Sequence, residues 1–346
     1  MPFTKIARLM LEGGGSTITK SASDPAIDTN PSNGLGTIWL NTSTGEMFTC
    51  TDATTDANVW SNAGEGTGDI IPPVYISATG GTVTTDGDYK VHTFNSSDPF
   101  EVTTAGTIPQ VEYLVIAGGG GGAYSGNCGG GGGAGGYLTG TVTLSAGTHS
   151  VIVGAGGAGR TSNADGGDGT NGVFDYGTTI TSIGGGGGGY DANSGHTGGS
   201  GGGGGGGGNT SGGAATSGQG NDGAGGVGGL TLSGGGGGAG GVGETPSSNN
   251  PSDGGVGLAS DILITGQDVF RAGGGGGGWY GAVGAYTAQG GNGGGGAGGS
   301  GSSQHAVAGD ANFGGGGGGG GRTPGVGNSN GAAGGSGVVI LRYKFQ

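Results

Sequence analysis

The chain has 346 residues, 107 of them glycine, and a formal net charge of −14. Its nine Lys and Arg residues are scattered singly, which leaves no basic stripe for nucleic acid or an anionic membrane surface. Charged residues are only 9% of the total, too few for the highly charged disordered class, yet large apolar side chains are too sparse for a conventional core.

Residues 1–17 carry Lys5 and Arg8 and too short an apolar stretch for a secretory leader, and no segment is long and apolar enough to cross a bilayer. The expectation is a protein made in the cytoplasm, without membrane insertion. Residues 1–70 read as a small β module. Strand-like segments at 37–41 and 46–51 flank the turn signal NTSTGE, and Trp39, Phe48 and Trp60 are its expected mini-core. A linker with Pro72-Pro73 follows, and residues 71–117 hold it together with further strands. YKVHTF (89–94) and FEVTT (100–104) are joined at hairpin length, and VEYLVIA (111–117) is apolar on both faces.

Composition breaks at residue 118: 13 glycines fall in 1–117 and the other 94 in 118–337. Uninterrupted runs occupy 118–122, 129–133, 184–189, 201–208, 234–238, 273–278, 293–296 and 314–321. The spacers alternate in character. One set is β-rich (137–153, 173–183, 230–233 and 258–272) and is expected at a β base. The other is short, polar and aromatic (123–128, 190–200 and 279–292) and is flanked by runs on both sides. Residues 338–346 end in VVILRYKF, an alternating strand expected to return to the strands of 74–116 and to close the glycine-rich region as a long insertion.

A glycine run is flexible coil when isolated. Side by side, extended three-fold helices rising ~3.1 Å per residue can exchange backbone N–H···O=C bonds, because no side chain holds them apart. Strict Gly-X-Y with abundant proline, the collagen pattern, is absent, and G-x-G-x-x-G matches arise here from composition alone. The fold expected is therefore all-β with an irregular glycine-rich part: a β-sandwich-like base plus a bundle of polyglycine/polyproline-II helices over 118–337, with essentially no α-helix.

DGDYKVHTFNSSDPFEV, VEYLVIAGGGGGA, the stretch from GGGGGAGGYLTG to HSVIVGAGGAG, and the closing GGSGVVILRYKF resemble the glycine-rich domain of phage tail-fibre and tip-adhesin proteins over about 74–345. Residues 31–62 are similar to small modules near the start of marine phage fibre proteins. The resemblance implies polyglycine-II sandwiches whose distal loops touch the host surface, a virion tail location with release by lysis, and attachment to other virion proteins through the N-terminal module. It also implies a host-surface glycan or outer-membrane protein as the partner, and a homotrimer as one possible state, although no heptads enforce one.

The expected receptor contacts are Tyr124, Tyr190, His196, Trp279, Tyr280 and Tyr286, aromatic and polar residues concentrated between glycine runs. The alternative for each ring is that it caps the bundle against water. No nucleophile–base–acid spacing, H-E-x-x-H or Cys/His cluster is present, so the chain is read as non-enzymatic, with neither cofactor nor metal. Asp86/Asp88 and Asp165/Asp168 are read as turn residues in preference to cation ligands. Cys50 and Cys128 are read as buried free thiols, and His92 and His149 as strand histidines. A purely structural fibre segment and an ice-binding bundle are the alternative functions.

Overall fold

Strands form where the apolar pattern alternates, and the strands with the most continuous apolar character lie in the middle of a sheet. In the computed structural model, which describes residues 18–63, 73–228, 231–247, 252–281, 287–301, 304–325 and 327–346, the chain divides into two compact units, Met1–Val74 and Tyr75–Gln346. It is all-β, with no α-helix among the described residues.

The first unit is one four-stranded sheet in sequence order, β1 (Ile18–Ser21), β2 (Ile38–Asn41), β3 (Met47–Asp52) and β4 (Val59–Asn62). Phe48, Cys50 and Trp60 are fully buried and Trp39 packs against them, its ring 5.9 Å from that of Trp60 in an edge-on arrangement. The Trp39 indole N–H donates to Ser23 O at 2.9 Å.

The second unit has two five-stranded sheets. One is ordered β10 (Tyr137–Thr143), β9 (Gln110–Ile116), β18 (Val338–Lys344), β7 (Tyr89–Phe94) and β6 (Thr82–Asp86). The other is β13 (Thr179–Ser182), β12 (Gly172–Asp175), β11 (Gly147–Ile152), β8 (Phe100–Thr104) and β5 (Ser77–Thr79). Phe94, Val111, Val115, Val339, Leu341 and Tyr343 from the first meet Phe100, Val102, Val151 and Phe174 from the second in one core. The opposite face of the first sheet is also covered: Val91, Leu114, Ile116, Val338 and Ile340 pack with Ala239, Ile262 and Ala272. The hairpin of β14 (Leu258–Ser260) and β15 (Val269–Arg271) belongs to this covering layer. Burial on both faces explains why β9 and β18 read as near-continuous apolar runs. Arg342 on that outer face is matched: its Nη2 lies 2.6 Å from Glu112 Oε2, and Nη1 donates to Asp261 O.

The C-terminal strand β18 pairs antiparallel with both β7 and β9, with Val339 opposite Phe94 and Val115. Everything between β9 and β18 is thereby held at both ends by one sheet. The final pair of strands, β16 (Arg322–Thr323) and β17 (Gly327–Asn328), is a small ribbon outside that sheet.

Between the anchors the glycine runs form a lattice with a three-residue period. In the run that leaves β9, Ala117, Gly120 and Ala123 donate their N–H groups to Gly136, Gly133 and Gly130. Gly118, Gly121 and Tyr124 donate to Thr170, Gly167 and Ala164, and Gly119 and Gly122 donate to Gly335 and Ala332. The carbonyls of the same run accept from three further segments: Gly118 and Gly121 from Gly185 and Gly188, Gly119 and Gly122 from Gly157 and Arg160, Gly120 and Ala123 from Gly317 and Gly320. The run thus exchanges backbone bonds with six neighbours, three through donors and three through acceptors. This is the packing a three-fold extended helix requires, and it forms the polyglycine-II bundle expected. Run 129–136 repeats the pattern with neighbours in 117–123, 183–189, 200–203, 234–237, 275–278 and 314–320.

Close packing is why glycine is compulsory here. A Cβ on Gly132 would lie 2.0 Å from Gly120 O, and one on Gly316 would lie 1.9 Å from Gly132 O. The limit is approach of neighbouring backbones, since neither residue has positive φ.

One expected base segment is placed differently. Residues 230–233 were grouped with the β-rich spacers, but Leu232 makes only an isolated bridge with Val227. Ser233 Oγ donates towards Gly129 O and Gly278 O, at the end of the bundle away from the sheets. Leu232 is buried at that end.

Two predictions follow from this packing. Gly132→Ala forces a methyl into backbone on a wall that cannot move, and is expected to destabilise by at least about 3 kcal/mol, beyond ordinary overpacking. Gly218→Asn is the control: φ is +76° and nothing lies within 4 Å of a Cβ there, so its melting temperature should stay near wild type by thermal circular dichroism.

His92 is fully buried, with Nδ1 2.8 Å from Gly80 O and Nε2 3.1 Å from the Tyr343 hydroxyl. The carbonyl accepts only, so Nδ1 carries the proton of the neutral ring. Burial lowers its pKa below the ordinary 6.5, so the unfolded chain binds the extra proton first. The stability held by neutral His92 is present above 6.5 and is lost as pH falls through the depressed folded value. Melting temperature should decline on acidification below 6.5, and His92→Gln should flatten that part of the profile.

Candidate functional site: the apical turns of the bundle

The run 118–123 leaves the sheet at Ile116 and 129–136 returns to it at Tyr137, so the turn 124–128 stands at the far end, ~19 Å out for six residues. Lattice bonds bring other run ends to the same level. Gly130 N–H donates to Gly189 O, Gly278 N–H to Gly129 O, and Gly320 N–H to Ala123 O. Tyr190, Trp279 and Arg322, each just beyond a run, therefore emerge beside the 124–128 turn.

Tyr124, Tyr190 and Tyr280 are half-buried in this apical patch. The Tyr190 ring packs on Gly126, where a Cβ would sit 2.8 Å from ring atoms. Burial, then Asp191 and the Tyr124 phenol, raise the Tyr190 pKa, which keeps its hydroxyl protonated as a donor. Tyr280 bridges Arg322 through the backbone, and its ring centroid lies 5.9 Å from the Arg322 guanidinium carbon. These three tyrosines and the 124–128 turn share one end of the lattice.

Two expected contacts are placed differently from these tyrosines. Trp279 is only 8% exposed, and its backbone N–H donates to Gly299 O. Its indole is thus buried at the apical end of the bundle, the position of a cap. His196 sits on the flank, its N–H donating to Gly187 O about three residues, ~9 Å, below the apex. Tyr286 lies outside the described residues.

Polar residues that the sequence reading did not single out complete the apical patch. Asn127 Nδ2 donates to Asp191 Oδ1 at 2.7 Å, and Arg322 Nη1 donates to Gly126 O at 3.2 Å and to Asn127 Oδ1 at 3.3 Å. Asp191 and Cys128 hold φ of 50° and 68°, the left-handed conformation that turns the chain at the end of a run. The Cys128 thiol is fully buried and its pKa is pushed up to about 12 by desolvation, so it is inert. The available signal was positional: each of these residues lies within two positions of a glycine run.

The flank around His196 shows what limits the lattice. Asp165 Oδ1, Asp168 Oδ1 and Asn171 Oδ1 accept the N–H groups of Tyr190, Gly187 and Gly184 at 2.6, 2.8 and 2.9 Å. In the same seam Gly166 and Gly169 donate to Gly188 and Gly185. Side chains at a three-residue spacing thus stand in for carbonyls. His196 lies across the seam, Nδ1 2.8 Å from Asp168 Oδ1 and Nε2 3.5 Å from Asp165 Oδ2. Asp165 and Asp168 do not act as the turn residues considered from sequence: each gives its Oδ1 to an N–H group of a run edge. Asp86 is likewise engaged, accepting from Thr265 N and Oγ1 at 2.8 and 2.7 Å, and these bonds lower its pKa. Asp88 lies 3.6 Å from Lys344 Nζ.

Residues 93–344 match the family model of a glycine-rich domain, a span that begins within β7 and ends at the last residue of β18. The chain belongs to the glycine-rich domain family. The glycine-rich domain so defined takes in the paired C-terminal strand as well as the runs, in keeping with a lattice closed by the sheet at both ends. No curated protein matches the chain. Among the described residues no helix is long and apolar enough to cross a membrane, and no group of three or more His, Cys, Asp or Glu is placed to hold a metal ion.

The side-chain seam yields a two-variant test. Asp168→Ala leaves the buried Gly187 N–H without an acceptor and should lower stability by about 1–2 kcal/mol. Asp168→Asn keeps an acceptor oxygen and should restore most of the loss in thermal melts.

Proposed function

We propose that the protein is a virion tail-fibre or tail-tip component that binds the host cell surface through the apical turns of its polyglycine-II bundle. The observation that carries this reading is the delivery of three half-buried tyrosines, a guanidinium and a carboxylate to one end of a backbone lattice. Tyrosine supplies large contact area with few rotatable bonds, which lowers the entropy cost of recognition. A lattice whose neighbours are joined every third residue holds those rings without further ordering on binding.

The resemblance of the strand sequences at both ends of the domain to phage tip adhesins supports the same reading. In it, the N-terminal module joins the chain to other virion proteins, and the patch takes a surface glycan or outer-membrane protein. The protein carries out no reaction in this reading. Recognition is the whole of its chemistry.

The test uses the labelled full chain incubated with a panel of bacterial cells and measured by flow cytometry. Binding to at least one strain is expected. The combined variant Tyr124→Ala/Tyr190→Ala/Tyr280→Ala should reduce it at least about tenfold, as loss of hot-spot tyrosines does, with the melting temperature held. A chain that binds no strain, or a triple variant that binds as well as wild type, would overturn the proposal.

A further inference from the structure

Asn127 holds the two charged groups of the apical patch at once. Its amide Nδ2 donates to Asp191 Oδ1, and its Oδ1 accepts from Arg322 Nη1. Each charged group keeps unused capacity. Asp191 Oδ2 and the Arg322 Nε and Nη2 groups have no hydrogen-bond partner among the described residues, and both residues are partly exposed. The patch therefore presents an acceptor and a donor fork, fixed on either side of one amide and open to solvent.

The surroundings narrow what could meet them. Asp191 and Arg322 cancel in charge, so the pair selects neither an anion nor a cation. The Tyr190 ring lies to one side on Gly126, and the Tyr280 ring lies against Arg322 on the other. A ligand needs adjacent hydrogen-bonding groups able both to donate and to accept, on a frame with apolar faces for the rings. A trans peptide group fails the first condition, because its N–H and C=O point to opposite sides of the chain. Two neighbouring ring hydroxyls meet it, since each hydroxyl is one donor and two acceptor lone pairs. The C–H face of the same ring meets the second.

Resting on the surface-attachment reading above, we propose that Asp191 and Arg322, positioned by Asn127, bind the vicinal diol of a neutral hexopyranose unit in a surface glycan. One hydroxyl donates to Asp191 Oδ2, its neighbour accepts from Arg322, and the tyrosines stack on the sugar ring. Asn127 is the positioning residue.

Titration of the full chain with methyl hexopyranosides in the millimolar range, followed by 1H–15N NMR, tests this directly. The Arg322 Nε–H and Asn127 side-chain amide signals should shift saturably. N-methylacetamide, a trans amide whose donor and acceptor point to opposite sides, should leave them unmoved. Asp191→Asn, a residue that tolerates the same φ, and Arg322→Lys should each weaken hexoside binding by about tenfold with melting unchanged. Shifts with no hexoside, equal shifts with N-methylacetamide, or unaltered affinity in both variants would overturn the inference. Periodate treatment of cells, which cleaves vicinal diols, separates this inference from attachment itself. Binding lost to periodate supports the glycan. Binding that survives periodate and is lost to surface proteolysis refutes the glycan while leaving attachment standing. If no untreated cell binds, attachment fails and the hexoside titration still decides the diol site.

Discussion

The backbone hydrogen bond between neighbouring glycine helices is the interaction on which the second unit depends. Each such bond contributes a net ~1 kcal/mol, while fixing a residue's backbone costs about 1–2 kcal/mol. A single pair of runs would therefore come apart. What changes the balance is enclosure. In the centre of the lattice each residue is buried, so an unmade bond would leave a desolvated N–H or C=O costing ~1–3 kcal/mol. Cα–H···O contacts and dispersion between closely approached backbones add to the same side. The bundle holds because six neighbours make bonding the only tolerable state for a buried run, as for 118–123 and 129–136.

Enclosure has to start and stop somewhere, and the two boundaries use different chemistry. At the base, an ordinary β-sandwich core of Phe94, Phe100, Phe174 and Leu341 supplies hydrophobic stabilisation that the glycines lack. The pairing of β18 with β7 and β9 fixes both ends of the lattice. On the flanks, carboxylates, amides and hydroxyls stand in for missing carbonyls. Beyond Asp165, Asp168 and Asn171, Asp222 accepts from Ala215 N, Asp253 from Gln289 N and Thr170 from Ala155 N. Run edges that point N–H groups outward favour acceptors, and this gives part of the acidic balance of the chain a structural origin without a cation.

The apex is the third boundary, where the chain must reverse. Polar residues there are held by backbone on one side and left open on the other, as Asn127 does for Asp191 and Arg322. A wall without side chains gives these turns a rigid support within a few ångströms, since even Gly126 is spaced to admit the Tyr190 ring. A binding surface so supported needs little ordering when it meets a ligand. The wall and the surface are thus parts of one design: uniform backbone below, side chains only where the lattice ends.

The amino-acid sequence by itself determined the class of fold. Alternation marked β7, β8, β9 and β18 with bounds close to those observed, and the length of the glycine runs marked where backbone had to replace a core. These are local properties, and they survive in one dimension. Which residues would share the apex was only partly legible: Tyr124, Tyr190 and Tyr280 stood out as aromatic, whereas Asn127, Asp191 and Arg322 looked like ordinary loop residues. His196 and Trp279 stood out because their segments are flanked by glycine runs; one lies partly exposed on a flank seam and the other is buried. Only the tertiary lattice decided these placements. Glycine runs carry no side-chain pattern to specify which neighbour each faces, so the level and the side at which a run ends follow from the register of all its neighbours together.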